Sequence, residues 1–395
     1  MQALSQIDEA LRKAAELGEV PGVVAVAATA KEVIYEGAFG KRDLGKDEKM
    51  TADSVFWIAS MTKAITCAAA MQLVEQGKLA LDEPIAKILP ELAAPKVLEG
   101  FDDTGKPRLR DAKRQITLKL LMTHMAGFCY DIWNADMGRH MEQKGIPGIV
   151  SCLNAALTTP LANEPGQKWE YGINIDFVGK AVEAVSGKKL DAYLKDHIFT
   201  PLGMRDTGFK IGADQRSRLV GMHARGADGK LSPMPFELAQ EPEFHMGGGG
   251  LYGTAPDYIR FLRALLNGGE LDGSRILKHE TVKMMGENHI GEHEVTTLKT
   301  AMPPFSNDVD LYPDQPKKWG LSFLINTKRT AEGRSPMSLA WAGLANTYFW
   351  LDPTLGVAGV ILMQLLPFAD AKALGLYAAF ERGIYAGLGH SQRAA

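Results

Sequence analysis

Residues 60–76, SMTKAITCAAAMQLVEQ, spell a helix that opens on a serine and carries a lysine three positions later. Alanine and leucine favour the helix, and Gly77 stops it. Ser60 suits the N-cap, and a capping box would place Glu or Gln at position 63. Lys63 stands there instead, facing the positive end of the helix dipole at a cost of roughly 0.3–1 kcal/mol. The i, i+3 spacing brings hydroxyl and amine onto one face. A serine hydroxyl becomes a nucleophile when a nearby base takes its proton, and a lysine of lowered pKa is such a base. A local rule is broken where acyl chemistry would want it broken.

Working outward, residues 20–29 and 32–40 carry the small and β-branched side chains of a two-stranded hairpin. Residues 337–341, 348–351 and 357–363 predict three more strands, and Asp352-Pro353-Thr354 turns the chain between the last two. A closing helix is expected over 369–385. Between the two ends the pattern is mainly helical, over 118–123, 175–185, 190–198, 257–266 and 278–285. The expected fold is α/β (α+β): an antiparallel sheet built from both termini, flanked by helices and interrupted by a helical insertion. One domain is expected, with subdomains 1–60 plus 300–395 and 61–299. Residues 94–114 and 302–318 read as long loops of the kind that serve as lids or linkers.

Composition removes several classes of function. The chain has 395 residues and a net charge of −3, so no strong field draws nucleic acid or an anionic membrane. The first twenty residues form an amphipathic helix rather than a secretory signal. No later apolar run approaches the ~20 residues that span a bilayer. Cys67, Cys129 and Cys152 are odd in number and lack C-x-x-C spacing, which suits free thiols in a reducing compartment. A cytoplasmic protein without nucleic-acid or membrane partners is expected, of open oligomeric state.

Two further candidates follow from local chemistry. Tyr171 ends Pro165-Gly166-Gln167-Lys168-Trp169-Glu170-Tyr171, just before a helix, where a phenol can face a cleft. A phenolate there would need a nearby cation, and Lys63 is one. Packing of the loop against the core is the plainer role for such an aromatic. In Ala340-Trp341-Ala342-Gly343-Leu344 a strand passes from a large residue to small ones. Gly343 would let a ligand approach the backbone, and the N–H of Leu344 could pair with that of Ser60 as an oxyanion hole. An ordinary strand end would look the same. His289-Ile290-Gly291-Glu292-His293 spells a zinc-protease motif, but Gly286 and Gly291 argue that no helix carries it. No metal or other cofactor is expected. Gly248-Gly249-Gly250-Leu251-Tyr252-Gly253 lacks a preceding buried strand and reads as a tight turn near the cleft. No serine sits in G-x-S-x-G.

Taken together, these motifs resemble the class C β-lactamase/penicillin-binding-protein superfamily, and most closely its family VIII carboxylesterases. Phe56-Trp57-Ile58-Ala59-Ser60-Met61-Thr62-Lys63 matches the first motif, and Tyr171 falls at the second. Gly77-Lys78-Leu79-Ala80-Leu81-Asp82-Glu83-Pro84, Leu121-Met122-Thr123-His124-Met125-Ala126-Gly127 and Pro201-Leu202-Gly203-Met204-Arg205-Asp206-Thr207 fit between and beyond them. The resemblance implies a β-lactamase/transpeptidase-like fold with Ser60 as nucleophile and Lys63 and Tyr171 as general acid/base.

Departures from that pattern choose among activities. The usual Tyr-x-Asn is Tyr171-Gly172-Ile173 here, with Asn174 one position late. The usual Lys-Thr-Gly is Trp341-Ala342-Gly343, similar to the Trp-x-Gly of the esterases. Without that lysine a β-lactam or peptide carboxylate loses its partner, whereas an indole offers apolar area to a neutral ester. A serine carboxylesterase acting on small neutral esters is expected, with Trp341, Gly343 and Tyr130 bordering the substrate. A β-lactamase, a DD-peptidase, an acyltransferase or a non-catalytic binding domain on the same fold are the alternatives.

Overall fold

A computed structural model describes residues 2–393. α1 (Gln2–Glu16) leads into β1 (Gly22–Thr29) and β2 (Val33–Gly40). Five further strands come from the other end of the chain: β3 (Lys317–Trp319), β4 (Leu324–Asn326), β5 (Leu339–Gly343), β6 (Thr347–Asp352) and β7 (Val357–Leu362). They form one antiparallel sheet in the order β3-β4-β5-β6-β7-β1-β2. The two ends of the chain meet where β1 pairs with β7, Val24 opposite Leu362 and Val26 opposite Val360. Every residue of β5, β6 and β7 is buried, so both faces of the sheet are covered and polar alternation disappears.

Four other helices position the site. α2 (Thr62–Glu75) is buried through Leu73 and packs against α3 (Asn174–Ser186). A helix apolar on every side belongs inside a protein, and α2 is the hub of this one. α4 (Ala255–Leu266) lies within the stretch 61–299 but packs on β1 and β7. Thr254 caps it, accepting from the Asp257 N–H. α5 (Ala371–Arg393) packs with α1 and is tied to the loop before β5 by buried Arg334, which forks onto Glu381 at 2.6 and 2.7 Å. Among the described residues no helix is long and apolar enough to cross a membrane.

Two expectations need correction. Residues 94–114 are not a loop: Lys96–Phe101 pairs with Pro107–Asp111 as a hairpin. Its strands are short and charged, and the second is largely exposed, so no hydrophobic alternation announces them. The helix expected over 190–198 stays α-helical only through Leu194, then widens to a π-turn over Lys195–Phe199. Residues 302–316 are irregular, as expected, and lead into β3.

Candidate active site

Ser60 does not cap a helix. Ala59–Met61 form a 3-10 turn, α2 starts at Thr62, and the N-cap position falls to Met61, which makes no side-chain cap bond. The turn packs against β5. Ala59 sits at φ 44°, a left-handed conformation costing an alanine roughly 1–2 kcal/mol. A Cβ on Gly343 would stand 2.3 Å from Thr347 Oγ1 and 2.5 Å from the Ile58 carbonyl. Gly343 therefore makes room for the serine turn, not for a ligand, which corrects its expected role at the substrate. The bend frees the Ser60 hydroxyl from helix capping and presents it to a cavity.

Lys63, with no exposed surface, reaches three acceptors. Its Nζ lies 3.0 Å from Ser60 Oγ, 3.0 Å from Tyr130 Oη and 2.6 Å from the Gly248 carbonyl. Three acceptors match the three N–H bonds of an ammonium. Burial pushes the amine's pKa down to about 7, with the Asp176 charge working the other way. Desolvation thus favours the free amine over the ammonium at Lys63.

Tyr171 is brought to the same point by the junction before α3. Its Oη accepts from Trp341 Nε1 at 2.9 Å, and it hydrogen-bonds with Ser60. Lys63 Nζ stands 4.8 Å from the ring centre. Burial nevertheless holds the phenol well above its ordinary pKa, while the bonds to Ser60 and Trp341 pull it down. A phenolate at Tyr171 would require the cation to outweigh burial, and it does not. Tyr130, expected as a wall of the substrate cavity, does line it but also bonds to Lys63. Trp341, expected to offer apolar area, lines the cavity and in addition holds the Tyr171 oxygen.

The cavity beside Ser60 measures ≈ 250 Å³ and is walled largely by aromatic and aliphatic side chains, among them Trp57, Trp133, Phe236, Phe305 and Phe368. Leu344 borders it, with Ser60 on the same cavity. The one charged side chain on the wall is Asp131, whose carboxyl burial raises above its usual range. The wall carries no lysine, arginine or histidine among the described residues. Asn174 turns away from the cavity: its amide donates to the Phe128 carbonyl and meets His124 Nδ1 at 2.9 Å.

Several participants escaped the sequence. Asp176, in the first turn of α3, is wholly buried and accepts from the Gly248 N–H at 2.9 Å. Burial raises its pKa to about 6, against the pull of Lys63. Gly248 and Gly249 do lie at the cleft, as a turn that supplies the carbonyl for Lys63. His124 packs its ring 4.7 Å from that of Tyr171, and burial keeps it neutral by lowering its pKa. Outside the site, the helix before His289 ends at Met285, and the His289 ring meets the Met284 carbonyl.

Comparison with known proteins adds four results. The family model described as Beta-lactamase matches residues 7–382. The chain is 31% identical to monacolin J acid methylbutanoyltransferase of Aspergillus terreus, over 96% of this chain and 95% of that protein. It is 31% identical to lovastatin esterase of Penicillium rubens, over 96% and 98%. Among solved structures, a mutant of simvastatin synthase from Aspergillus terreus superposes with a TM-score of 0.84 at 30% identity, covering 98% of each chain. The fold is thus β-lactamase/transpeptidase-like, and the named relatives include acyltransferases as well as an esterase.

Proposed function

The chain belongs to the beta-lactamase family, and from that premise we propose that it cleaves neutral carboxylic esters through an acyl-enzyme on Ser60. The observation that carries this is the buried Lys63 amine, its pKa lowered to about 7, lying 3.0 Å from the Oγ of Ser60, which borders an apolar cavity. Lys63 as free base takes the hydroxyl proton while Oγ attacks the ester carbonyl. The N–H groups of Ser60 and Leu344 receive the developing oxyanion. As the tetrahedral intermediate collapses, the bond to the leaving alcohol breaks and Lys63 returns a proton to its oxygen, with Tyr171 as the neutral relay. An incoming water or alcohol then gives its proton to Lys63 as its oxygen bonds to the acyl carbon; the bond to Ser60 Oγ breaks, the acid or new ester leaves, and Lys63 returns the proton to Oγ. With no cation on its wall among the described residues, the cavity offers a β-lactam or peptide carboxylate no partner there.

A second acceptor is favoured by the relatives, one of which is named for methylbutanoyl transfer. An apolar cavity keeps water scarce beside the acyl group, so an alcohol of matching shape competes well for it. The test is p-nitrophenyl butyrate with graded concentrations of a bulky alcohol. New ester formed at the expense of butyrate identifies a transferase, and free acid alone identifies an esterase. No turnover in either condition, with no fluorophosphonate labelling of Ser60, removes both.

Two further results are expected here. The kcat/KM profile should rise with pH through a limb near 7, as Lys63 loses its proton. A limb at the pH of an ordinary carboxylate would exclude Lys63 as the base. Trp341→Phe keeps aromatic area but removes the N–H that holds the Tyr171 oxygen. Steady-state kinetics should show kcat lowered about tenfold with KM little moved. A change confined to KM would reduce Trp341 to a wall.

A further inference from the structure

Asp176 is an expensive residue to bury, and its surroundings show what it does. It has no exposed surface, and its Oδ2 has no hydrogen-bond partner. Its Oδ1 accepts from the Gly248 N–H at 2.9 Å, and the carbonyl of that same residue accepts from Lys63 Nζ at 2.6 Å. The approach is so close that a Cβ on Gly248 would stand 2.7 Å from Asp176 Oδ2. The flanking Gly247 is held too: its carbonyl accepts from Thr66 Oγ1 of α2 at 2.8 Å, and it packs against Gly179 of α3. The glycine turn is therefore clamped between the helix that carries Lys63 and the helix that carries Asp176.

We propose that Asp176 is a positioning residue for Lys63: through Gly248 it fixes the carbonyl that orients the amine, and its negative charge decides how readily that amine gives up a proton. This rests on the acyl-enzyme reading given above. The groups facing the pair are few. Tyr130, Tyr171, Ser60 and Gly248 surround the amine, with Cys67 one turn along α2, and His124, kept neutral chiefly by burial, feels its charge. Tyr130, Tyr171 and Cys152 feel the carboxylate. Both tyrosines and both cysteines are held neutral by burial, which raises their pKa values. Asp176 is thus the carboxylate that opposes the desolvation of Lys63.

Asp176→Asn tests this, because an amide oxygen can still accept from the Gly248 N–H while the charge is gone. With the carboxylate removed, burial acts on Lys63 unopposed and its pKa falls. The acid limb of kcat/KM should move to lower pH by about one unit or more. Loss of activity without movement of the limb would show a purely structural role and overturn the proposal. Should that variant fail to fold, Gly248→Ala reads the same contact by crowding the carboxylate away, and an unmoved limb there has the same meaning. Fluorophosphonate labelling of the parent separates the two levels. An unlabelled Ser60 defeats the acyl-enzyme reading, whereas a labelled Ser60 with an unmoved limb defeats only the role of Asp176.

Discussion

Ser60→Ala is expected to lower kcat on a p-nitrophenyl ester by at least ~10³-fold while the circular dichroism of the protein is unchanged. Both halves follow from the turn that holds the serine. Ser60 neither caps α2 nor fills the core, so its hydroxyl is not needed by the backbone. What the hydroxyl does touch is Lys63 and Tyr171, so its loss removes the atom that forms the covalent bond. A folded Ser60→Ala that still turns over at the parent rate would show that the chemistry lies elsewhere. Retention of the slow, uncatalysed background would not, since binding and polarisation of the carbonyl survive.

Lys63→Met is the second large expectation, with kcat lowered by at least ~10². Methionine fills a similar apolar volume but offers no base to Ser60. The variant should also show a pH-dependent loss of stability that Ser60→Ala lacks. In the parent, the pull of Lys63 already fails to bring Asp176 below about 6, because burial dominates. Without the amine, the carboxyl rises further. A carboxyl whose folded pKa lies above its unfolded value binds more protons when folded, so stability is lost as pH rises between the two values. Thermal unfolding should therefore show a small deficit against the parent in acid and a larger one at neutral pH and above. A deficit independent of pH would mean that Asp176 is not the charge left stranded.

The parts of this site written in local spacing were readable in the chain. Ser60 and Lys63 are three residues apart, a spacing that brings a pair together on a helix and also across the turn found here. Five of the seven sheet strands were readable as well, since β1, β6 and β7 are apolar runs bounded by turns, but β3 and β4 are three residues each and leave no such run. The serine turn was not readable, because it packs against β5, far along the chain, and nothing between Ala59 and Lys63 encodes that contact. Tyr130 and Trp341 were found as neighbours of the cleft but assigned only area, because their hydrogen bonds span 67 and 170 residues. Asp176 left no trace: an acid in the first turn of a helix is what the helix dipole favours anyway. The hairpin at Lys96–Phe101 was hidden by its charge.

The burial of the thiols has an experimental use. Cys67 lies one turn beyond Lys63 on α2, with no exposed surface and a pKa pushed up to about 12 by burial. A thiol reagent meets almost no thiolate there while the helix is docked. Its reaction with Cys67 then runs like a stopwatch that starts only when α2 lifts from its bed. Measured with and without a covalent inhibitor on Ser60, that clock would tell how firmly an occupied site holds the centre of the molecule shut.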